Sequence, residues 1–412
     1  MMYIGIDIGT SGARAVVLDQ AGRLLASAEA AVPLRAGPTG QAEQDVDEAW
    51  RSILSVLRRL GEQVDTGLVQ GIGLSCHGGA ITFRHGEDCL APAITWRDGR
   101  GAPYDAQFMR THGAPWLRPR VGRGQSGFAI GQLLRLQEED AAALRWPRQL
   151  SFVGDLLTYR LSGRAACDSG LPTLAMLYNP TQRRIDHELL VLLGLRPDQL
   201  PDILPARQPA GGLTRAVAEA TGLRPGIPVA PAILDHFACA LGCGALGAGD
   251  VLLRTGRVWT ALVSLNSCLS PAERQAWLCQ HLAPSVWAHL LPLVQFQREF
   301  ELGGEAAGAP DAGPGSAAAA DRQRKSLARL GKELVRLGRE YKKAKAPLGR
   351  LIVAEGLAHR PEMVEVLRQS QPLPVVACTS SLPAARGAAI LARAMLDAHL
   401  PLDVLRAEMT PG

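Results

Sequence analysis

Near the N-terminus the run Asp7-Ile8-Gly9-Thr10-Ser11-Gly12 combines the residue types that phosphate chemistry needs. Glycines let a backbone turn approach a ligand closely and aim its amides at an anion. Thr10 and Ser11 add hydroxyl donors for phosphate oxygens. Asp7 would repel phosphate directly, so its natural role is to hold Mg2+ through water. A plain hairpin turn containing glycine is the other reading of the same run. Asp235 is a second focus. It follows an apolar run, residues 229–234, and precedes a stretch of small residues, which places it at the carboxyl end of a strand. There it serves either as an acceptor for a substrate proton or as the N-cap of the next helix.

The elements that must position these residues are legible in the pattern. Residues 3–8, 14–18 and 23–32 read as three strands joined by turns at 9–12 and 19–22. Residues 45–60 read as a helix with Ala49, Ile53, Val56, Leu57 and Leu60 on one face. Residues 69–74 form a buried-type strand ending in Ser75-Cys76-His77-Gly78-Gly79. Strands and helices then alternate to Asp235, as in an α/β domain. Further on, 237–245 reads as helix and 250–265 as one or two strands. Residues 303–320 are a low-complexity Ala/Gly/Pro stretch that reads as a flexible linker. Residues 321–344 form a helix with Leu327, Leu330, Leu334, Leu337 and Tyr341 in an apolar stripe; its Lys/Arg-rich side reads as a solvated face. A strand–helix–strand–helix unit closes the chain, with strands at 350–353 and 375–378 and helices at 362–369 and 384–398.

Bulk properties narrow the classes. The chain has 412 residues, enough for two or three domains. A formal charge of +5 is too small an excess to imply nucleic acid or a membrane surface. The eight cysteines are scattered without a CxxC pair, which points to a reducing cytoplasm, and Cys239 and Cys243 have a helical spacing suited to core packing. The first residues lack a basic signal-peptide region, and no apolar run is long enough to span a bilayer.

Five segments in order carry a resemblance. Asp7 to Ser11 opening a hairpin is similar to the first phosphate loop of the actin/hexokinase/Hsp70-like (ribonuclease H-like) fold. Gly40-Gln41-Ala42-Glu43-Gln44-Asp45 with Trp50, then Trp96-Arg97-Asp98-Gly99-Arg100, then Asp155 through Gly163, then Gly226-Ile227-Pro228-Val229 followed by Asp235, resemble stretches of the FGGY carbohydrate kinases, nearest to the xylulose and ribulose kinases. The resemblance implies an α/β, two-lobed fold with an interlobe cleft. It implies an N-terminal domain over 1–246 and a shortened C-terminal domain over 247–412. The implied reaction is ATP- and Mg2+-dependent phosphorylation of a sugar hydroxyl, with sugar and ATP as the small-molecule partners and a homodimer left open. Asp235 becomes the general base; Asp7 the metal ligand; Gly9, Thr10 and Ser11 the phosphate contacts. Trp96 would stack on the sugar, with Asp98, Arg100, His77, Gly78 and His236 beside it. A structural Asp98–Arg100 pair and a helix-capping His236 are the alternatives.

The second half departs from the family. Where a second phosphate loop has hydroxyl residues after its glycine, this chain has Gly256-Arg257-Val258; Arg257 could meet phosphate with different geometry. Where the family has Gly-Gly-Gly against the nucleotide, this chain has Ala354-Glu355-Gly356, which implies crowding and an added negative charge. His77 stands one place earlier than the histidine of xylulose kinases. These departures keep a second expectation in view, a sugar-binding relative that uses ATP poorly and acts as a sensor or interaction partner.

Overall fold

Strand β1 (Met2–Gly9) holds six consecutive buried residues, so both of its faces are covered. It turns through Thr10-Ser11 into β2 (Gly12–Asp19), with Gly9 opposite Gly12, and β2 pairs antiparallel with β3 (Leu24–Ala31). These coordinates are a computed structural model that describes residues 1–37, 39–269, 276–283, 285–304, 317–397 and 399–409. Helix α1 (Val46–Gly61) is capped by Asp45, whose carboxylate accepts the amides of Asp47 and Glu48. Its buried face is Val46, Ala49, Ile53, Val56, Leu57 and Leu60, the stripe read from the sequence. Strand β4 (Val69–Cys76) lies parallel to β1.

The stretch at 229–234, expected as one strand, is two: β6 (Pro228–Val229), preceded across the sheet by β5 (Gly211–Gly212), and β7 (Ile233–Leu234). Both β6 and β7 run parallel to β4. The seven strands follow the order β5-β6-β4-β1-β2-β3, with β7 also on β4. Helix α2 (Asp235–Cys243) starts at Asp235 itself rather than at residue 237.

The chain divides into two compact units, Met1–Gly244 with Leu382–Gly412, and Ala245–Ser381. The second unit is built on β8 (Asp250–Thr255), β9 (Trp259–Leu265), β10 (Trp277–Gln280) and β11 (Trp287–Pro292), followed by α3 (Val294–Gly304) and α4 (Ala317–Lys343), then β12 (Arg350–Ala354), α5 (Pro361–Ser370) and β13 (Val375–Cys378). Its sheet order is β10-β11-β9-β8-β12-β13. Leu327, Leu330, Leu334, Leu337 and Tyr341 of α4 are buried in its core with Leu253, Val263 and Leu351. The basic side of α4 is laced with exposed ion pairs, Lys325–Asp321, Arg329–Glu299 and Arg336–Glu340 among them, as a solvated face would be. Of the expected linker at 303–320, residues 305–316 lie outside the described residues, and its flanks belong to α3 and α4. Among the described residues no helix is long and apolar enough to cross a membrane.

The units do not follow the expected boundary at 246/247 to the end of the chain. The last helices return to the first unit, because α6 (Pro383–Leu396) is made of small residues that fit glycine notches there. A Cβ on Gly5 would collide with the Ala385 carbonyl, one on Gly73 with that of Ala388, and one on Gly242 with that of Pro383. Bare glycine on one side and alanine on the other let helix and sheet backbones touch.

Candidate active site

Parallel pairing decides which residues meet. The β1–β4 register sets Asp7 beside Ser75 and Ile8 beside Cys76, and the β4–β7 register sets Cys76 beside Leu234. The carboxyl ends of three parallel strands therefore deliver Gly9, His77 and Asp235 to one edge of the sheet. That edge is where open α/β sheets bind ligands.

Asp7 is 7% exposed. Its Oδ1 accepts the Ser75 hydroxyl at 2.5 Å, and Arg14 Nη1 lies 3.9 Å from Oδ2. Gly9 is uncrowded: a Cβ there would meet only the Gly12 carbonyl at 3.9 Å and Arg14 Nη1 at 4.0 Å, both ordinary contacts. Thr10 is buried and Ser11 half-buried, and the Ser11 carbonyl accepts the Val32 amide at 3.1 Å. Among the described residues no group of three or more His, Cys, Asp and Glu is placed to hold a metal. The single carboxylate of Asp7 suits Mg2+, which takes one or two carboxylates and completes its shell with water and phosphate oxygens.

His77 is 5% exposed. Its amide donates to the Ile8 carbonyl at 2.9 Å, and its Nε2 lies 3.0 Å from Gln44 Oε1. Burial lowers its pKa from 6.5 to about 4, against the opposing pull of Asp235. Its Nδ1 is buried without a hydrogen-bond partner. Asp235 is the first residue of α2, and Leu234 occupies the cap position, so Asp235 is not the capping residue. The positive end of α2 favours a carboxylate there. His236 Nδ1 sits 2.8 Å from Asp235 Oδ1, and both side chains are largely buried. Asp235 and Asp7 both act on the buried Cys76 thiol between them, whose pKa burial and these charges push well up.

Gly78 and Gly79 are where backbone must pass closely. A Cβ on Gly78 would stand 2.5 Å from Leu174 and from Leu234, and one on Gly79 2.7 Å from Phe128 and 3.1 Å from Trp96. Gly79 also has φ +71°. Trp96 is half-buried against this turn. Asp98 and Arg100 are braced instead. The Asp98 carboxylate accepts the amides of Ala42 at 2.9 Å and Arg100 at 3.0 Å, and Arg100 Nη2 reaches Asp98 at 2.7 Å and Glu43 at 2.5 Å. The structural pair is the arrangement the structure displays.

The remaining expected residues lie in the second unit. The β8–β12 register aligns Arg254 with Ala354, which brings Gly256 and Glu355 together at the strand ends. Glu355 has φ +66° and ψ −146°, a conformation natural to glycine. Its Oε1 pairs with Arg254 Nη2 at 2.7 Å, and its Oε2 lies where a Cβ on Gly256 would be. The carboxylate expected to add charge is thus matched by an arginine. Arg257 is exposed, with its carbonyl accepting Gln297 Nε2 at 2.9 Å. A Cβ on the exposed Gly356 would stand 2.6 Å from the Thr255 carbonyl.

Three contributors escaped the sequence reading. Gln44 belongs to the Glu43-Gln44-Asp45 motif, yet its side chain bridges His77 and the Gly9 carbonyl, the latter at 3.1 Å. Ser75 partners Asp7 only because two distant strands share a register. Asp168, buried, accepts the Gly170 amide at 3.0 Å, and its pKa is raised to about 7 by burial, against the lowering effect of backbone amides that include that of Leu234, the residue before Asp235.

This phosphate-type turn, buried histidine and carboxylate on the strand ends of an actin-like α/β unit agree with a family-wide match. Residues 2–242 match the FGGY family of carbohydrate kinases, N-terminal domain, and the chain belongs to that family. Among curated proteins it is similar to a xylulose kinase of Klebsiella pneumoniae, 27% identical over 71% of this chain and 60% of that protein, and to an L-fuculokinase of Salmonella typhi, 27% identical over 63% of this chain and 58% of that protein. The aligned part spans about 60% of the first relative's length. The fold matches the crystal structure of xylulose kinase from Rhodospirillum rubrum with a TM-score of 0.87 at 20% identity, over 99% of this chain and 92% of that one. The architecture is the two-lobed, actin-like fold of FGGY kinases.

Proposed function

We propose that this protein transfers the γ-phosphoryl group of ATP to a sugar hydroxyl, with a ketopentose such as xylulose or ribulose as the acceptor. The observation that carries the proposal is the convergence of Asp7, His77 and Asp235 at the carboxyl ends of three parallel strands. In this reading Asp235 accepts the proton of the attacking hydroxyl as the new oxygen–phosphorus bond forms and the bond to the ADP leaving oxygen breaks. His236, hydrogen-bonded to Asp235, holds that carboxylate in place. Asp7, its carboxylate rotamer fixed by the Ser75 hydroxyl, would hold Mg2+ through water, and the ion would neutralise phosphate charge. The uncrowded backbone at Gly9 would let phosphate approach the Thr10 and Ser11 turn. Trp96 supplies an apolar face for the sugar, and Gly256, Arg257 and Gly356 the nucleotide side.

The test is coupled ADP release with MgATP and a panel of D-xylulose, L-xylulose, D-ribulose, L-fuculose and glycerol. Sugar-dependent release that falls by about 100-fold or more in Asp235→Ala supports the proposal; full activity in that variant defeats it. One observation favours a second reading, sugar binding without efficient use of ATP: the Glu355 carboxylate lies against Gly256. A sugar that raises the melting temperature while MgATP does not would select it.

A further inference from the structure

Helix α4 and the residues just after it segregate the charge of the chain. Residues 321–345 hold ten Lys and Arg against three Asp and Glu, a net charge of +7. The whole chain sums to +5, so all other residues together are slightly acidic and conceal this face in the total. From Arg322 to Lys343 the positions spaced alternately three and four residues apart are all basic, with Lys325, Arg329, Lys332, Arg336 and Arg339 completing the row. That spacing keeps them on one line of an α-helix, two residues out of phase with the buried stripe of Leu327, Leu330, Leu334 and Leu337. Every exposed residue from Arg322 to Lys343 is Lys or Arg. The row runs about 32 Å at a rise of ~1.5 Å per residue. Lys325 pairs with Asp321, Arg329 with Glu299, and Arg336 with Glu333 and Glu340; among the described residues Arg322, Lys332, Arg339 and Lys343 make no ion pair. Beside the row, α5 balances its own charge, Glu362 with Arg360 and Glu365 with Arg368. On the other side α3 carries Glu299 and Glu301 against Arg298. The positive excess is therefore one helix wide, about 10–12 Å with side chains.

We propose that this ridge is a docking surface for double-stranded DNA, held through the backbone phosphates and without regard to sequence. Three observations select that partner. A row of cations along a surface helix is the electrostatic counterpart of a phosphate backbone, and Arg322, Arg329, Arg336 and Arg339 bring planar forks that meet phosphate oxygens in pairs. The excess is as wide as one helix, which the major groove of B-form DNA, about 12 Å across, admits. An anionic bilayer presents a plane instead, and α3 and α5 offer it no excess of positive charge. No aromatic or apolar side chain is exposed from Arg322 to Lys343, so the row has neither the stacking platform that single strands use nor an anchor for a bilayer. Arg322, Lys332, Arg339 and Lys343, which no carboxylate of the protein neutralises, set the number of phosphates held at about four. The proposal stands independently of the kinase reading.

The test is fluorescence anisotropy of a labelled DNA duplex of about 20 base pairs, titrated with the full chain at salt concentrations from about 50 to about 200 mM. A dissociation constant of about 1–100 μM near physiological salt is expected. Each phosphate neutralised contributes about −0.9 to the slope of log K against log salt, so about four contacts give a slope between about −3 and −4. Combining Arg322→Gln, Lys332→Gln, Arg339→Gln and Lys343→Gln should weaken binding at least about tenfold at about 100 mM salt and bring the slope close to zero. All four side chains are exposed, and the melting temperature of the variant checks that it is folded. No binding by the parent at about 50 mM salt, a slope shallower than about −2, or equal affinity of the parent and the folded variant overturns the proposal. Tighter binding of a thymidine single strand of the same length overturns it as well. Retention by phosphatidylserine vesicles in place of the duplex would make the ridge a membrane contact and overturn it too.

Discussion

Asp168 shows how one buried side chain imprints pH dependence on the fold. Its carboxyl, ordinarily near 3.8, titrates at about 7 because burial penalises the charged form. The folded state then holds this proton more tightly than the unfolded chain. Its contribution to stability is present at low pH and is lost as pH rises from about 4 to about 7. His77 has the opposite sign: with a folded value of about 4 against 6.5, it weakens the fold as pH falls through that window. Urea unfolding of Asp168→Asn between pH 4 and 7 should therefore lose less stability with rising pH than the parent; parallel curves would refute the buried-acid assignment. Glu355 carries a different load. A non-glycine residue in its conformation is strained by about 1–3 kcal/mol. Glu355→Gly should relieve that strain and free the face of Gly256, giving a larger MgATP-induced rise in melting temperature than the parent shows. An unchanged rise would mean that the carboxylate does not compete with nucleotide.

At the scale of elements, α6 fits against the sheet and α2 of the first unit because Gly5 on β1, Gly73 on β4 and Gly242 on α2 leave no side chain between backbones. Gly73 lies on β4, directly beneath the Ala388 carbonyl of α6. Gly73→Val would force the helix off the sheet, and a loss of about 3 kcal/mol or more is expected from the shift in the urea midpoint. A change under about 0.5 kcal/mol would show that helix and sheet adapt freely. The same strand carries Ser75, Cys76 and His77 to the site, so packing on one side of β4 and chemistry at its end are set by one register.

At the scale of the molecule, the first unit is discontinuous, Met1–Gly244 with Leu382–Gly412. A chain cut after Ser381 lacks α6 and exposes the glycine-lined faces of β1, β4 and α2. It should fail to give a single cooperative thermal transition by circular dichroism. A transition as sharp and as high as that of the full chain would show that α6 is dispensable.

The sequence by itself determined most local structure: the three-stranded start, the apolar stripes of α1 and α4, the turn at Gly9 to Gly12 and the closing strand–helix units. These depend on residues a few positions apart, whose periodicity is written directly in the chain. It also determined which residues deserved suspicion, because Asp7, His77 and Asp235 stand at strand ends in a recognisable order. Only the tertiary structure decided which of them meet. Ser75 reaches Asp7, and Gln44 reaches His77 and Gly9, through pairing between strands and loops far apart in sequence, for which no local pattern exists. The same holds for Asp98 and Arg100, braced by Ala42 and Glu43, and for Glu355, matched by Arg254 across one hundred residues. Helix α6 belongs to the first unit for the same reason: complementarity between small side chains on one element and bare backbone on another becomes visible once the two are brought into contact.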